Sequence, residues 1–295
     1  MKVLLISANT EQINMPAIPL GLACVVEAVK NAGHDVTMLD LMFEIDINAT
    51  LKRIITEFRP ECIGISVRNI DDQNMEAPKF LLDKVKEVVT VCRDLSDSPI
   101  VLGGAGYSMF PESALAYLDA DFGIAGEGET AFPALLMRLE NNDDLSGIPG
   151  LYSRNHGPYP PKTFCRDLDK LKLPETRILS NFASQNHDPW IPVQTRRGCA
   201  IERMGFLLLG GPGETRQSVE ESLAFADSLK LDALRLTVGI RIYPETQLAE
   251  TAKKQGVITS ESNLLFPHFY LSQGLEGWLP ELLKKWQASR PFVIM

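Results

Sequence analysis

Four short stretches join glycine to small polar residues, each directly after an apolar run: Ser7-Ala8-Asn9, Ser66-Val67-Arg68-Asn69, Gly103-Gly104-Ala105-Gly106 and Gly126-Glu127-Gly128. Glycine lets a ligand approach the backbone closely. Hydroxyls, amides and a guanidinium supply hydrogen bonds to it. One such stretch would suit any tight strand-to-helix turn, but four on one edge point to a binding site. Gly103-Gly104-Ala105-Gly106 does not fit the G-x-G-x-x-G fingerprint, which argues against a dinucleotide there. Two further groups lie in the second half. Cys199 follows the basic turn Arg196-Arg197-Gly198, and Gly210-Gly211-Pro212-Gly213-Glu214 follows another apolar run. His156 and His187 have no partner at metal-ligand spacing and read as loop residues.

The elements that must position the first four stretches form a repeating pattern. Val3–Ser7, Val36–Leu39, Cys62–Ser66, Ile100–Leu102 and Phe122–Ala125 are short apolar runs, as buried parallel strands are. Helical stripes separate them. Pro19 opens the first, which carries Leu22, Val25, Val26 and Val29, and Gly33 closes it. Ile47 to Phe58, Leu81 to Cys92 and Phe132 to Leu139 form the others. Strand–helix alternation predicts a doubly wound α/β domain over residues 1–140, in the flavodoxin-like order, with ligands at the carboxyl ends of the strands. Residues 141–190, with their prolines, read as a linker. From 191 to 295 three strands are expected, at 191–195, 204–209 and 233–238, followed by an aromatic-rich tail that includes Trp278 and Trp286.

Bulk properties narrow the partners. The net charge is −9, which argues against nucleic acid as a ligand. No apolar run reaches the length of a membrane span. The amino-terminal segment is too strand-like for a signal peptide, and five scattered cysteines suit reduced thiols, so a cytoplasmic protein is expected. Cys24, Cys62 and Cys92 sit among apolar neighbours and read as core packing.

The order of Pro19-Leu20-Gly21-Leu22, Gly33-His34-Asp35-Val36, Ile63-Gly64-Ile65-Ser66-Val67-Arg68-Asn69, Gly103-Gly104-x-Gly106 and Gly126-Glu127-Gly128-Glu129 resembles the cobalamin-binding domain of cobalamin-dependent radical S-adenosylmethionine (SAM) proteins. The resemblance covers nearly all of residues 1–140. It implies a corrinoid across the strand ends, held by Ser7, Asn9, Ser66, Arg68, Asn69, Gly103, Gly104, Gly106, Gly126, Glu127 and Gly128, with its nucleotide tail beside the three glycines after the fourth strand. Thr10 to Pro19 contains no histidine, so the Asp-x-His-x-x-Gly device that ligates cobalt in other corrinoid domains is missing. His34 lies at the opposite edge of the sheet, in a turn. A flavin or nucleotide is the competing ligand, and Glu127 and Glu129 would repel its phosphate.

Ile191 to Cys199 resembles the first strand of a radical SAM barrel, where Cys-x-x-x-Cys-x-x-Cys holds a 4Fe-4S cluster that binds SAM. The resemblance makes Cys199 a metal ligand and places Gly210, Gly211 and Glu214 on the SAM side. Intact relatives generate a 5′-deoxyadenosyl radical, and many transfer a methyl group to a substrate. In this chain the motif breaks off: Arg203 and Phe206 stand where the other two cysteines belong. A six-unit partial barrel needs roughly 180 residues at about 30 per unit, far more than 191–295 supplies. A block with two cluster cysteines and the middle strands is therefore expected to be absent between about Cys199 and Ile201, leaving a partial barrel with impaired radical chemistry. The substrate is not legible.

Overall fold

A computed structural model describes residues 1–11, 19–75, 77–154, 161, 204–229, 231, 233–291 and 293–294. The expected strand at 191–195 and Cys199 lie outside the described residues. Contacts divide the chain into two units: Met1–Ile70 with Leu81–Val193, and Asp71–Phe80 with Gln194–Met295.

The first unit is built on a six-stranded sheet. Its strands are β1 (Lys2–Ser7), β2 (Asp35–Asp40), β3 (Cys62–Ser66), β4 (Ile100–Gly103), β5 (Phe122–Ile124) and β6 (Leu151–Ser153), in the order β2-β1-β3-β4-β5-β6. The first five are parallel, in the flavodoxin-like order that the alternating pattern predicts. β6 runs antiparallel to β5 and extends the sheet past residue 140, into the stretch read as linker. β1 buries Val3, Leu4, Leu5 and Ile6 because both its faces are covered.

The helices are α1 (Leu20–Asn31), α2 (Ile47–Phe58), α3 (Leu82–Leu95), α4 (Ala105–Met109), α5 (Pro111–Leu118) and α6 (Gly128–Asn141). α1 and α6 cover one face, where Leu22, Val26, Phe132, Leu135 and Leu136 pack with Val3, Leu5 and Val101. Gly64 matters to that face, since a Cβ there would lie 2.5 Å from Leu5 Cδ2 and 3.2 Å from Phe132 Cζ. Asp46 caps α2 by accepting from Ala49 N at 2.9 Å. Gly33 (φ +92°) ends α1 as predicted.

The second unit contains β7 (Met204–Leu209), α7 (Arg216–Ser228), β8 (Ala233–Val238), β9 (Ile240–Arg241), α8 (Gln247–Lys254), β10 (Phe269–Tyr270), α9 (Trp278–Gln287) and β11 (Val293–Ile294). β7 and β8 are parallel neighbours joined through α7, and β11 adds to the far side of β8. Thr215 and Ser218 form a reciprocal capping box that starts α7. The tail does pack on this small sheet: Leu275, Leu279, Leu283 and Val293 join Leu209, Leu234 and Leu236 in one core, with Trp278 and Trp286 against it. Among the described residues no helix is long and apolar enough to cross a membrane.

Candidate functional site

The eleven residues assigned to the first edge stand at the carboxyl ends of β1, β3, β4 and β5, in the turns that follow, or, for Gly106 and Gly128, in the first turn of α4 and α6. They do not share one role. Ser7 is buried, and its hydroxyl is hydrogen-bonded to the Asp40 carboxylate at the end of β2. Burial pushes the Asp40 pKa above the ordinary carboxylate range, against the Ser7 bond and the bond from Met42 N. Ser7 therefore closes the β1–β2 end.

The turns after β3 and β4 are interlocked through their backbones. Val67 N donates to the Gly103 carbonyl at 2.8 Å, and Gly106 N donates to the Val67 carbonyl at 3.0 Å. Gly104 has φ +97°, and a Cβ there would lie 2.5 Å from Val67 O and 3.0 Å from Ser66 Oγ. A Cβ on Gly106 would lie 2.9 Å from Arg68 O. These two glycines admit protein backbone. Gly103 differs. A Cβ there would meet nothing closer than Ile124 O at 4.0 Å, and Gly103 shares a sheet face with Val101, the α1–α6 face. Space for a ligand beside the β4 end thus lies at Gly103.

Ser108, to which the sequence reading gave no role, ties two turns together. Its hydroxyl donates to the Gly104 carbonyl at 2.8 Å and accepts from Gly126 N at 2.9 Å. Gly126 is left-handed (φ +104°). Glu127 occupies the N-cap position of α6 without a capping hydrogen bond, and Gly128 keeps α6 close to α1, where its Cβ would lie 3.0 Å from Val25 Cγ2.

Asn9, Arg68 and Asn69 line a shallow cleft between the β1 and β3 ends and the start of α3, bordered by the Glu11–Lys84 ion pair (2.8 Å). Its cavity volume is only about 10 Å³, far below the ~300–1,000 Å³ of ordinary ligand pockets, so it can seat the edge of a ligand but not enclose one.

Tyr107 was also missed. It is fully buried in α4, its ring fills the place of a Gly123 side chain in β5, and its hydroxyl has no hydrogen-bond partner among the described residues. Burial drives its pKa far above the ordinary tyrosine value. A Gly in a strand often marks such a close approach, but nothing in the sequence named the partner. Cys62 and Cys92 are buried, and burial pushes both thiols up to about 12. Cys24 is only half-buried, with its pKa raised first by burial and then by Glu129. His34 sits in its expected turn, Nδ1 3.1 Å from the amino-terminal nitrogen.

In the second unit, Gly210 and Gly211 form a turn at the β7 end. Both their amides donate to Glu214 Oε2, the latter at 2.6 Å. Ser272 N donates to the Gly210 carbonyl at 2.9 Å, and the Ser272 hydroxyl donates to the Gly211 carbonyl. Glu214 thus holds its own loop. Among the described residues no three His, Cys, Asp or Glu side chains cluster as a metal site.

Residues 6–136 match the family model described as the B12 binding domain. A tryptophan 2-C-methyltransferase of Streptomyces laurentii is 31% identical over 153 residues, 51% of this chain and 25% of that protein. A hopanoid C-3 methylase of Methylococcus capsulatus is 27% identical over 190 residues, 61% of this chain and 34% of that protein. The chain therefore spans about a quarter to a third of the length of these relatives. In fold it is similar to the radical S-adenosylmethionine methyltransferase TsrM from Kitasatospora setae, solved with cobalamin and a 4Fe-4S cluster bound, with a TM-score of 0.78, 17% identity and coverage of 100% of this chain and 90% of that one. The chain carries a B12-binding domain over residues 6–136 and is similar in sequence to two C-methylating enzymes and in fold to a radical SAM methyltransferase.

Proposed function

We propose that the first unit holds a cobalamin at the β1, β3, β4 and β5 ends, with no histidine of the β1 loop on cobalt. The observation that carries this reading is the contrast between Gly103 and its neighbours: Gly104 and Gly106 are filled by backbone, and Gly103 alone of the three leaves room at the strand ends. Gly103 would admit the nucleotide tail on the α1–α6 face. Asn9, Arg68 and Asn69 would hydrogen-bond the rim of the corrin from the cleft. Ser108 would keep the turns after β4 and β5 at fixed spacing beneath it. Bound cobalamin would supply a carrier for a methyl group, and the protein would supply orientation. Adding hydroxocobalamin, desalting and recording the visible spectrum tests this: a retained corrinoid supports the reading, and none retained ends it.

The cluster fits less well. Three thiolates are needed, and after Cys199 the spacing offers Arg203 and Phe206. The proposed consequence is that a barrel block is missing near Cys199 and that radical methyl transfer is impaired. Gly210, Gly211 and Glu214 would remain as the SAM-side turn. Anaerobic reconstitution is expected to give no stable four-iron cluster, and several irons per chain with SAM cleavage would refute that. The second reading, a corrinoid-binding module without chemistry, is favoured by this lone thiol.

A further inference from the structure

The chain leaves the first unit after Ile70, and Asp71–Phe80 belongs to the second unit. The segment is a closed strap. Asp71 and Phe80 form an antiparallel bridge at its base. The Asp72 carboxylate accepts from Asn74 N (3.1 Å) and Lys79 N (3.0 Å). Its anchor is buried: Asp71 Oδ2 accepts from Arg241 Nε at 2.7 Å, with side chains 1% and 2% exposed. The rest of the guanidinium donates to the carbonyls of Ile242, Leu264 and Leu265.

At the tip stands Met75, half-buried. Its sulfur takes the space that a side chain on Gly239 would fill. Gly239 directly follows β8, and its amide donates to the Leu209 carbonyl at the end of β7 at 2.8 Å. Gly239 (φ +72°) and Gly210 (φ +100°) are both left-handed, and a Cβ on Gly210 would reach within 3.4 Å of Gly239 N. Met75 therefore covers the carboxyl end of β8, while Leu271 Cδ1 fills the corresponding space at Gly210 after β7, at the edge where open α/β sheets take ligands.

We propose that the strap is a wall of the second unit's ligand site, and that Met75 is a contact residue setting the depth of that site for an adenosyl sulfonium ligand. The inference rests on reading Gly210–Glu214 as the SAM-side turn. An unbranched thioether is suited to the place, because it fills a gap in one state and rotates aside in another. The anchor fixes the base of the strap, and Gln73 Nε2 donates to the Tyr243 hydroxyl at 3.1 Å nearer the tip.

The test uses the full chain and S-adenosylmethionine. Equilibrium dialysis gives the Kd of the wild type, Met75→Ala and Met75→Leu, and amide exchange follows the 71–80 peptide of the wild type with and without SAM. Met75→Ala is expected to shift the Kd about ten-fold or more, and Met75→Leu to restore most of the loss. SAM is expected to protect the 71–80 peptide. Wild-type binding with unchanged exchange in 71–80, or with Met75→Ala equal to wild type, would overturn this inference alone. Absence of binding by the wild type would overturn the SAM-side reading and this inference with it.

Discussion

Gly103 and Gly104 are adjacent, and their substitutions should separate binding from stability. Gly103→Leu fills open space beside the β4 end, so it should abolish corrinoid retention while the urea midpoint stays near wild type. Gly104→Ala forces a left-handed residue against Val67 O and should cost about 1–3 kcal/mol in urea unfolding. Tyr107→Phe removes a buried hydroxyl that has no partner among the described residues, a defect that costs about 1–3 kcal/mol. Its unfolding free energy should rise or hold, and a clear loss would show that the hydroxyl is satisfied. Asp40 gives a pH signature. Its folded pKa is raised, so its contribution is most favourable below the ordinary carboxylate range and is lost as pH rises through the folded value. Asp40→Asn should flatten that part of the stability–pH curve. The glycine-rich turns were legible as a site because residue types show where backbone can be approached. Which glycine faces protein and which faces space was not, because that depends on the Val67–Arg68 backbone of a neighbouring turn.

Elements were legible where burial was strong. β7 was expected at 204–209 and observed at Met204–Leu209, and β8 was expected and observed at residues 233–238. Long apolar runs bounded by glycine leave little choice of register. β6 and β11 were missed because strands of three and two residues carry no period. The strap was missed for a different reason. Its local sequence, Asp71-Asp72-Gln73-Asn74, reads as a polar strand-end loop, and its anchor is 170 residues away in sequence. The Asp71–Arg241 pair lets the strap's role be measured. Either Asp71→Leu or Arg241→Met leaves the other member of a buried ion pair uncompensated and should destabilise by about 3–5 kcal/mol, whereas the double variant Asp71→Leu/Arg241→Met should lose less than the sum. Additive losses in a double-mutant cycle would contradict the pairing.

At the scale of the whole molecule, the first unit has a six-stranded sheet and the second a three-stranded one. β2-β1-β3-β4-β5 brings four loops to the same edge without any help from β6 to β11. Corrinoid binding should therefore not depend on the second unit's chemistry. The alternating pattern over residues 1–140 made this half legible. In the second half β7 and β8 were legible as strands of a truncated barrel, and the described residues place them with β11 in a three-stranded parallel sheet against which α9 packs. The most direct measurement is the visible spectrum of the chain after mixing with hydroxocobalamin and desalting. The account predicts stoichiometric retention with a spectrum showing no histidine nitrogen on cobalt, and loss of retention in Gly103→Leu. A colourless wild-type chain, or a histidine-ligated spectrum, would contradict it.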